Sequence, residues 1–150
     1  MIYIGIDPGK DGAIAWLETS FAIVHAYSNE RLIHICMEAQ EAIGHDQKVV
    51  ACVEKVGAMP GQGVTSMFNF GKNVGYIEGV LEAFSIPYQL VPPQKWKKEF
   101  SLIKKDKATS IEVCKRLFPD VSLRRTDKCR TDDDGMAEAI LIAEYARRHF

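Results

Sequence analysis

The stretch MIYIGIDPGKDGAIAWLETSFAIVHAY (residues 1–27) decides the fold, because it predicts three short strands in succession. Isoleucine occupies every second position from Ile2 to Ile6, which is the period of a half-buried strand. The PGKDG segment that follows has the composition of a turn. GAIAWLE and FAIVHAY predict two further strands joined by Thr19 and Ser20. The first third of the chain is therefore predicted to be an antiparallel meander.

The rest of the chain alternates helical and strand patterns. The predicted elements are a helix at about 30–44, a buried strand KVVACVEKV (48–56), a loop GAMPGQG (57–63), a helix at 66–84, a strand IPYQLV (86–91), a basic loop, a helix at 107–118 and a helix at about 133–149. An apolar stripe in the last helix is predicted at Met136, Ala139, Ile140 and Ala143. This order predicts an α/β fold, with a mixed five-stranded sheet and helices on both faces.

Bulk composition narrows the class of protein. The 150 residues fit one domain (1–150), and 47% hydrophobic and 26% charged residues are ordinary for a globular chain. We expect no membrane span and no secretion signal, and therefore a cytoplasmic location. Four cysteines without CxxC spacing indicate reduced thiols, mostly in the core.

The net charge of −1 conceals an uneven distribution of charge along the chain. Residues 95–130 carry 12 lysines and arginines against five acidic residues, while the remainder is acidic. A basic block of this kind is typical of a region that engages a polyanion, although a solvated basic face has the same composition.

Two carboxylates follow predicted strands. Asp7 ends the first strand and Glu54 ends the buried strand KVVACVE. If these strands are parallel neighbours, their carboxyl ends meet at one edge of the sheet, where α/β folds place ligands. Two close carboxylates repel each other, and a hard divalent cation, Mg²⁺ or Mn²⁺, is the usual remedy.

The segment TDDDGMAEA supplies further acids. Asp134 and Glu138 are four residues apart and share one face of the last helix, so we expect them to face the metal. Asp133 points elsewhere and is a reserve candidate, and Asp132 precedes the helix. Four carboxylates are enough for hydrolysis of a phosphodiester by two metal ions.

Structural alternatives stand beside these assignments. Thr131 and Asp134 fit a capping box, Glu138 fits a solvent-facing helix position, and Lys55 or a helix cap can partner Glu54. The four histidines are scattered, which does not favour zinc, and the absence of GxxxxGK[ST] does not favour a P-loop nucleotide site.

Lysines and aromatic residues interleave in PPQKWKKEFSLIKKDKATS, as suits phosphate contacts and base stacking. The candidate DNA-binding lysines are Lys95, Lys97, Lys98, Lys104, Lys105 and Lys107. We expect Lys107 also to stabilise charge on the phosphate during the reaction. Trp96 and Phe100, four residues apart, equally fit core packing of a short helix.

The segment MFNFGKNVG adds Phe68, Phe70 and Lys72 as candidate DNA contacts. The phenylalanines can wedge between bases at an opened junction, although at least one is expected to lie in the core. Gly71, Gly75 and Gly79 place small residues on one helix face. That face allows either a second copy of the chain or the chain's own sheet to approach closely.

Taken together, IGIDPGKDGAIA, VEKV, MFNFGKNVGYIEGVLEAF, LVPPQKWKK and DDDGMAEAILIAEYARR resemble the RuvC-like Holliday junction resolvases, most closely compact phage and prophage forms. The resemblance implies a ribonuclease H-like fold, Mg²⁺ or Mn²⁺ with two ions per site, branched DNA as substrate, and a homodimer that makes paired nicks. It also implies that no nucleotide cofactor and no membrane are involved.

Residue by residue, the resemblance implies that Asp7, Glu54 and Glu138 match the family's acidic positions and that Lys97 and Lys107 match its basic positions. Phe68 or Phe70 matches its junction-probing aromatic. The chain departs from the pattern in the last helix, because the family often places its final acids three apart and Gly135 stands three before Glu138. Asp134 then has to substitute.

Three other functions are weighed against a resolvase. One is another ribonuclease H-like nuclease, acting on forks or RNA–DNA hybrids. A second is a junction-binding protein with weak catalysis. A third is an actin-like phosphotransferase fragment, which the missing second domain disfavours.

Overall fold

The computed structural model describes residues 1–9, 11–19, 21–55, 57, 61 and 63–150. The strands are β1 (Ile2–Asp7), β2 (Ala13–Leu17), β3 (Ala22–Ala26), β4 (Val49–Glu54) and β5 (Tyr88–Val91). The helices are α1 (Asn29–Gly44), α2 (Val64–Ala83), α3 (Pro93–Glu99), α4 (Lys107–Leu117) and α5 (Asp134–His149). The predicted order is confirmed with one correction: the basic loop contains the short helix α3. Most of the predicted loop GAMPGQG lies outside the described residues.

The five strands form one mixed sheet in the order β3-β2-β1-β4-β5. Strands β1, β2 and β3 are antiparallel neighbours, whereas β4 runs parallel to β1 and β5 parallel to β4. The predicted meander and the predicted parallel pairing are therefore confirmed. Since Ile6 is in register with Val53, Asp7 and Glu54, the last residues of β1 and β4, lie side by side at the carboxyl ends of these two strands.

A hydrophobic core lies on each face of the sheet, which confirms the prediction of helices on both sides. One core joins the sheet to α1 and α2 and includes Leu32 and Ile77. The other joins it to α3, α4 and α5 and includes Trp96 and Ile140. The second core carries α3, α4 and α5, and α2 also reaches the edge at which Asp7 and Glu54 end, because Asn73 Nδ2 donates to the carbonyl oxygen of Pro8, just after β1, over 3.0 Å.

Helix α5 is the central helix of the second core. Its residues from Gly135 to Ala146 are buried on all sides except at Glu138, so the predicted apolar stripe is too narrow. The helix lies directly on β1, because a Cβ added at Gly5 would come within 3.0 Å of the backbone of Ala139 and Ala143. Glycine therefore permits an approach that carries the acids at the start of α5 toward the end of β1.

Helix α2 buries only Ile77 and Leu81. A Cβ added at Gly71, Gly75 or Gly79 would meet no atom within 4 Å among the described residues, so these glycines do not pack on the chain's own sheet. Of the two alternatives, packing on the sheet is wrong, and approach by a second copy stays a prediction.

Among the described residues, no helix is both long and apolar enough to cross a bilayer. Cys36, Cys52 and Cys114 are buried free thiols, as predicted, and Cys129 is half-buried.

Candidate active site

Asp7 is the first acid of the site. It ends β1, and its Oδ1 accepts a hydrogen bond of 3.0 Å from the backbone N–H of Gly9 in the following turn. Burial raises the pKa of this carboxyl, the Gly9 hydrogen bond opposes the rise, and the charges of Glu138 and Asp134 add to it. Asp7 therefore caps a turn and at the same time lies in a cluster of like charges.

Glu54 is the second acid and is almost fully buried. Burial is the main cause that raises its pKa to about 7, and the charges of Asp7 and Glu138 raise it further. Trp96 opposes the rise, since its Nε1 donates to Glu54 Oε1 over 2.9 Å. The suggested partner Lys55 is therefore wrong, because the partner is the indole of a distant helix.

Trp96 in α3 and Phe100, which directly follows α3, are both buried, and this bears on the prediction that they stack on bases. Trp96 is 0% exposed and Phe100 is 7% exposed, and both belong to the core on the α5 side. Neither ring can stack on a base without unfolding this part of the molecule. The core-packing alternative is confirmed, and DNA stacking by these two residues is wrong.

The three consecutive aspartates at the start of α5, residues 132–134, have different roles: two make structural contacts and one faces the site. Asp133 is the N-cap of α5 and accepts from the N–H of Met136 over 3.0 Å, so the capping box of Thr131 and Asp134 is wrong. Asp133 also pairs with Arg125, with 2.6 Å between Nε and Oδ2. Asp132 pairs with Lys115. Neither of these two acids is among the main causes that shift the pKa of Asp7.

Asp134 and Glu138 are the two acids of α5 that act on Asp7. Asp134 Oδ2 lies 2.8 Å from Lys107 Nζ, and Glu138 Oε1 lies 3.2 Å from Lys97 Nζ. The Glu138 side chain is only 14% exposed, so the solvent-facing interpretation of this residue is wrong. The four acids from β1, β4 and α5 are thus neighbours in charge: Glu138 and Asp134 act on Asp7, and Asp7 and Glu138 act on Glu54.

Gly135 explains why the last two acids are four residues apart. A Cβ at this position would come within 3.0 Å of the carbonyl oxygen of Asp11 and would crowd Arg125 and Asp133. The guanidinium of Arg125 donates to the same Asp11 carbonyl and ties the turn after β1 to the start of α5. An acid three residues before Glu138 has no room here, and Asp134 lies at the nearest position that faces the cluster.

The donor set of the cluster suits a hard cation, because it consists of carboxylate oxygens alone. Among the described residues, no three His, Cys, Asp or Glu side chains converge closely enough to hold an ion as they stand. Each of the four acids instead has its own partner: a backbone N–H, an indole or a lysine. Lys97 and Lys107 each contact one oxygen of their acid, so the second oxygen of Glu138 and of Asp134 is the one that faces no lysine in these pairs.

The candidate DNA-binding residues lie around this edge or on α2. Lys107 is highly exposed, and its hydrogen bond with Asp134 raises its pKa. Lys97 is half-buried against Glu138. The remaining candidate lysines are exposed: Lys72, Lys95, Lys98, Lys104 and Lys105. Phe68 is 70% exposed and Phe70 is half-buried. The expectation that one of the two phenylalanines lies in the core is wrong.

Three site residues are missed by the sequence analysis in these roles. They are Trp96 as the partner of Glu54, Ser110, whose Oγ lies 3.4 Å from Glu138 Oε1, and Arg125. Trp96 carries a sequence signal, because a tryptophan at a predicted core position needs an acceptor for its N–H. Ser110 and Arg125 carry none, because a serine or an arginine can satisfy its hydrogen-bonding groups with water and does not require a protein partner.

Comparison with solved structures supports the fold, whereas no family model and no curated protein matches the sequence. Thermus thermophilus RuvC in complex with a Holliday junction substrate is 17% identical, with 99% of this chain and 97% of that chain covered and a TM-score of 0.59. A further Thermus thermophilus RuvC structure is 15% identical, with 99% and 96% covered and a TM-score of 0.55.

The yeast mitochondrial Holliday junction resolvase Ydc2 is 14% identical, with 94% of this chain and 75% of that chain covered and a TM-score of 0.50. These likenesses extend over nearly the whole chain and agree with its mixed five-stranded sheet. The chain therefore has the fold of the RuvC-type Holliday junction resolvases, which is the ribonuclease H-like fold that the sequence resemblance implies.

Proposed function

We propose that this protein is a structure-selective endodeoxyribonuclease that resolves Holliday junctions and related branched DNA by metal-dependent phosphodiester hydrolysis. The observation that carries the proposal is that Asp7 and Glu54, at the carboxyl ends of β1 and β4, lie within range of each other's charge and of the charges of Asp134 and Glu138 on α5, in a RuvC-type fold. These acids come from three elements, so their proximity is a property of the fold rather than of one local motif.

The four acids are the residues that would hold Mg²⁺, or Mn²⁺ in its place, as two ions per site. When bound, paired ions supply an activated water and stabilise the leaving 3′ oxygen. Because the pKa of Glu54 is about 7, this carboxyl carries a proton in part of the molecules at neutral pH. Cation binding therefore competes with that proton and strengthens as the pH rises.

The lysines have two separable tasks. Lys107, with its exposed side chain, stabilises negative charge on the phosphate. The exposed lysines around α3 and in the loop before α4 contact the DNA backbone without regard to sequence. Phe68, exposed near the start of α2, is a candidate for insertion between bases at the open centre of a junction.

Paired nicks on opposite strands need two such sites, so we propose a homodimer with two-fold symmetry. A four-way junction presents two equivalent scissile positions to a particle of this symmetry. The open face of α2, with its three glycines, is the surface predicted to meet the second copy.

The test is a nicking assay on a mobile four-way junction, comparing the wild-type protein with Asp7→Asn and Glu54→Gln. We expect symmetric nicks with 5′ phosphates, lost in both variants, while junction binding in EDTA persists. Glu18→Gln is the matched control, because Glu18 also accepts an indole N–H but lies outside the acidic cluster. Nicking that survives Asp7→Asn would contradict the assignment.

A junction-binding protein with weak catalysis is the second candidate function. It is favoured by one observation: each acid of the site has its own partner, and no three converge among the described residues. Tight junction binding without Mn²⁺-dependent nicking would support it.

Competition between a four-way junction, a fork and an RNA–DNA hybrid as substrates separates the resolvase from other ribonuclease H-like nucleases.

A further inference from the structure

We propose that Trp96 is a positioning residue for Glu54, whose carboxylate it holds in one orientation through the indole N–H. The proposal rests on the metal-dependent function proposed above and adds a residue that touches neither cation nor DNA. Trp96 Nε1 donates to Glu54 Oε1 over 2.9 Å. Trp96 is 0% exposed and Glu54 is 8% exposed, so water does not compete for this hydrogen bond.

The chemistry of the indole makes this contact directional. Tryptophan has one N–H donor and no acceptor, whereas a carboxyl group offers an acceptor oxygen in both its charged and its neutral form. The hydrogen bond therefore persists whether or not Glu54 carries a proton. Rotation of the carboxyl group away from Trp96 would leave a buried N–H without a partner, which is unfavourable. One oxygen of Glu54 is thus committed to the indole, and Oε2 has no indole partner.

The helix that carries Trp96 is itself anchored to α5. Lys97, the next residue, pairs with Glu138 over 3.2 Å. Glu99, near the end of α3, pairs with Arg148 over 3.0 Å. Helix α3 is therefore tied to α5 through two side chains, and the indole has a defined position relative to both Glu54 and Glu138.

The second tryptophan of the chain provides an internal comparison. Trp16 Nε1 donates to Glu18 Oε1, also over 2.9 Å, but this pair is only half-buried and Glu18 is not among the main causes that shift the pKa of Asp7 or Glu54. The same type of hydrogen bond thus occurs once inside and once outside the acidic cluster. An effect on Mg²⁺ binding that follows loss of the Trp96–Glu54 hydrogen bond, but not loss of the Trp16–Glu18 hydrogen bond, therefore reports on the role of Trp96 in the site.

The experiment removes the N–H without removing the ring. In a Trp16→Phe background, Trp96 is replaced biosynthetically by benzothienylalanine, in which sulfur takes the place of the indole N–H. Mg²⁺ affinity is measured by calorimetry and stability by urea unfolding. Because loss of a hydrogen bond to a metal ligand typically costs ~10- to 100-fold in affinity, we expect Mg²⁺ binding to weaken by that factor.

Two controls separate positioning from packing and cover a failure to fold. The Trp16→Phe protein should bind Mg²⁺ like the wild type, and its remaining emission, from Trp96, should change as Mg²⁺ is added. If the analogue does not fold, the test rests on the Trp96 fluorescence of the Trp16→Phe protein. Fluorescence that does not change at saturating Mg²⁺ then overturns the proposal.

If the analogue folds and its Mg²⁺ affinity is unchanged, the proposal that Trp96 positions Glu54 is overturned. This holds even if the free energy of unfolding falls, because a loss of stability alone shows only a packing role. A wild-type protein that neither binds Mg²⁺ nor nicks junctions would instead overturn the proposed function.

Discussion

Replacing Glu54 with glutamine should stabilise the protein in the absence of metal, although it removes a proposed metal ligand. Burial raises the pKa of Glu54 from 4.5 to about 7. A group with a raised folded-state pKa contributes its full stabilisation below the unfolded pKa and loses it as the pH rises through the folded pKa. Glu54 therefore makes the metal-free protein progressively less stable between about pH 4.5 and pH 7.

The size of the effect follows from the shift in pKa. A rise of about 2.5 units corresponds to about 3 kcal/mol of folding free energy lost at pH 8, where the group is charged in both states. Glutamine carries no charge to bury, and its amide oxygen still accepts from Trp96. For a chain of this length, about 3 kcal/mol corresponds to a rise in Tm of roughly 6–12 °C.

The assay is urea unfolding of the wild type and Glu54→Gln in EDTA between pH 5 and pH 8. We expect the variant to be more stable at pH 8 and the difference to shrink to below about 1 kcal/mol at pH 5. Glu18→Gln should show no comparable gain, since Glu18 accepts an indole N–H in a half-exposed setting. A variant that is no more stable than the wild type at pH 8, or a gain independent of pH, would refute the reasoning.

Three further predictions concern the surroundings of the acids. Lys97→Gln removes a positive charge that lowers the pKa of both buried acids, so the pH at which nicking rises should move upward, whereas Lys98→Gln on the same helix should not move it; a pH–rate profile measures this. Gly135→Ala should lower Tm because a Cβ there collides with the turn after β1, whereas Gly79→Ala, which points into open space, should stabilise α2 by about 0.5–1 kcal/mol in urea unfolding. Arg125→Gln should weaken Mg²⁺ binding in calorimetry, because its guanidinium ties that turn to the start of α5; equal affinity would show that the tie has no role in the site.

The parts of the fold that follow local rules were predictable from the sequence. Alternating isoleucines in β1 and the continuous apolar run in β4 identify two strands, and both lie in the interior of the sheet with most of their residues buried. Once these two strands are taken as parallel neighbours, Asp7 and Glu54 meet by topology alone. The first two acids of the site therefore needed no knowledge of side-chain packing.

The surroundings of the acids depend on contacts that no local pattern contains. Trp96 reaches Glu54 across 42 positions of the chain, and Arg125 reaches the turn after β1 across 114. The cap of α5 was missed for a smaller reason. Helix caps depend on the backbone angles of one residue, and in the run of three aspartates the sequence alone did not show that Asp133 adopts the extended conformation.

The close approach of α5 to β1 at Gly5 has a consequence for how the protein folds. It joins the first strand to a helix that follows every other element, and contacts between such distant segments slow folding, because chain entropy is lost before the contact is gained. A molecule with α5 detached exposes an apolar face of its sheet and separates Asp134 and Glu138 from Asp7. Docking of α5 on β1 therefore also brings Asp134 and Glu138 to Asp7, so a chain with α5 undocked would keep only Asp7 and Glu54 of the four acids that the proposed cleavage of DNA requires.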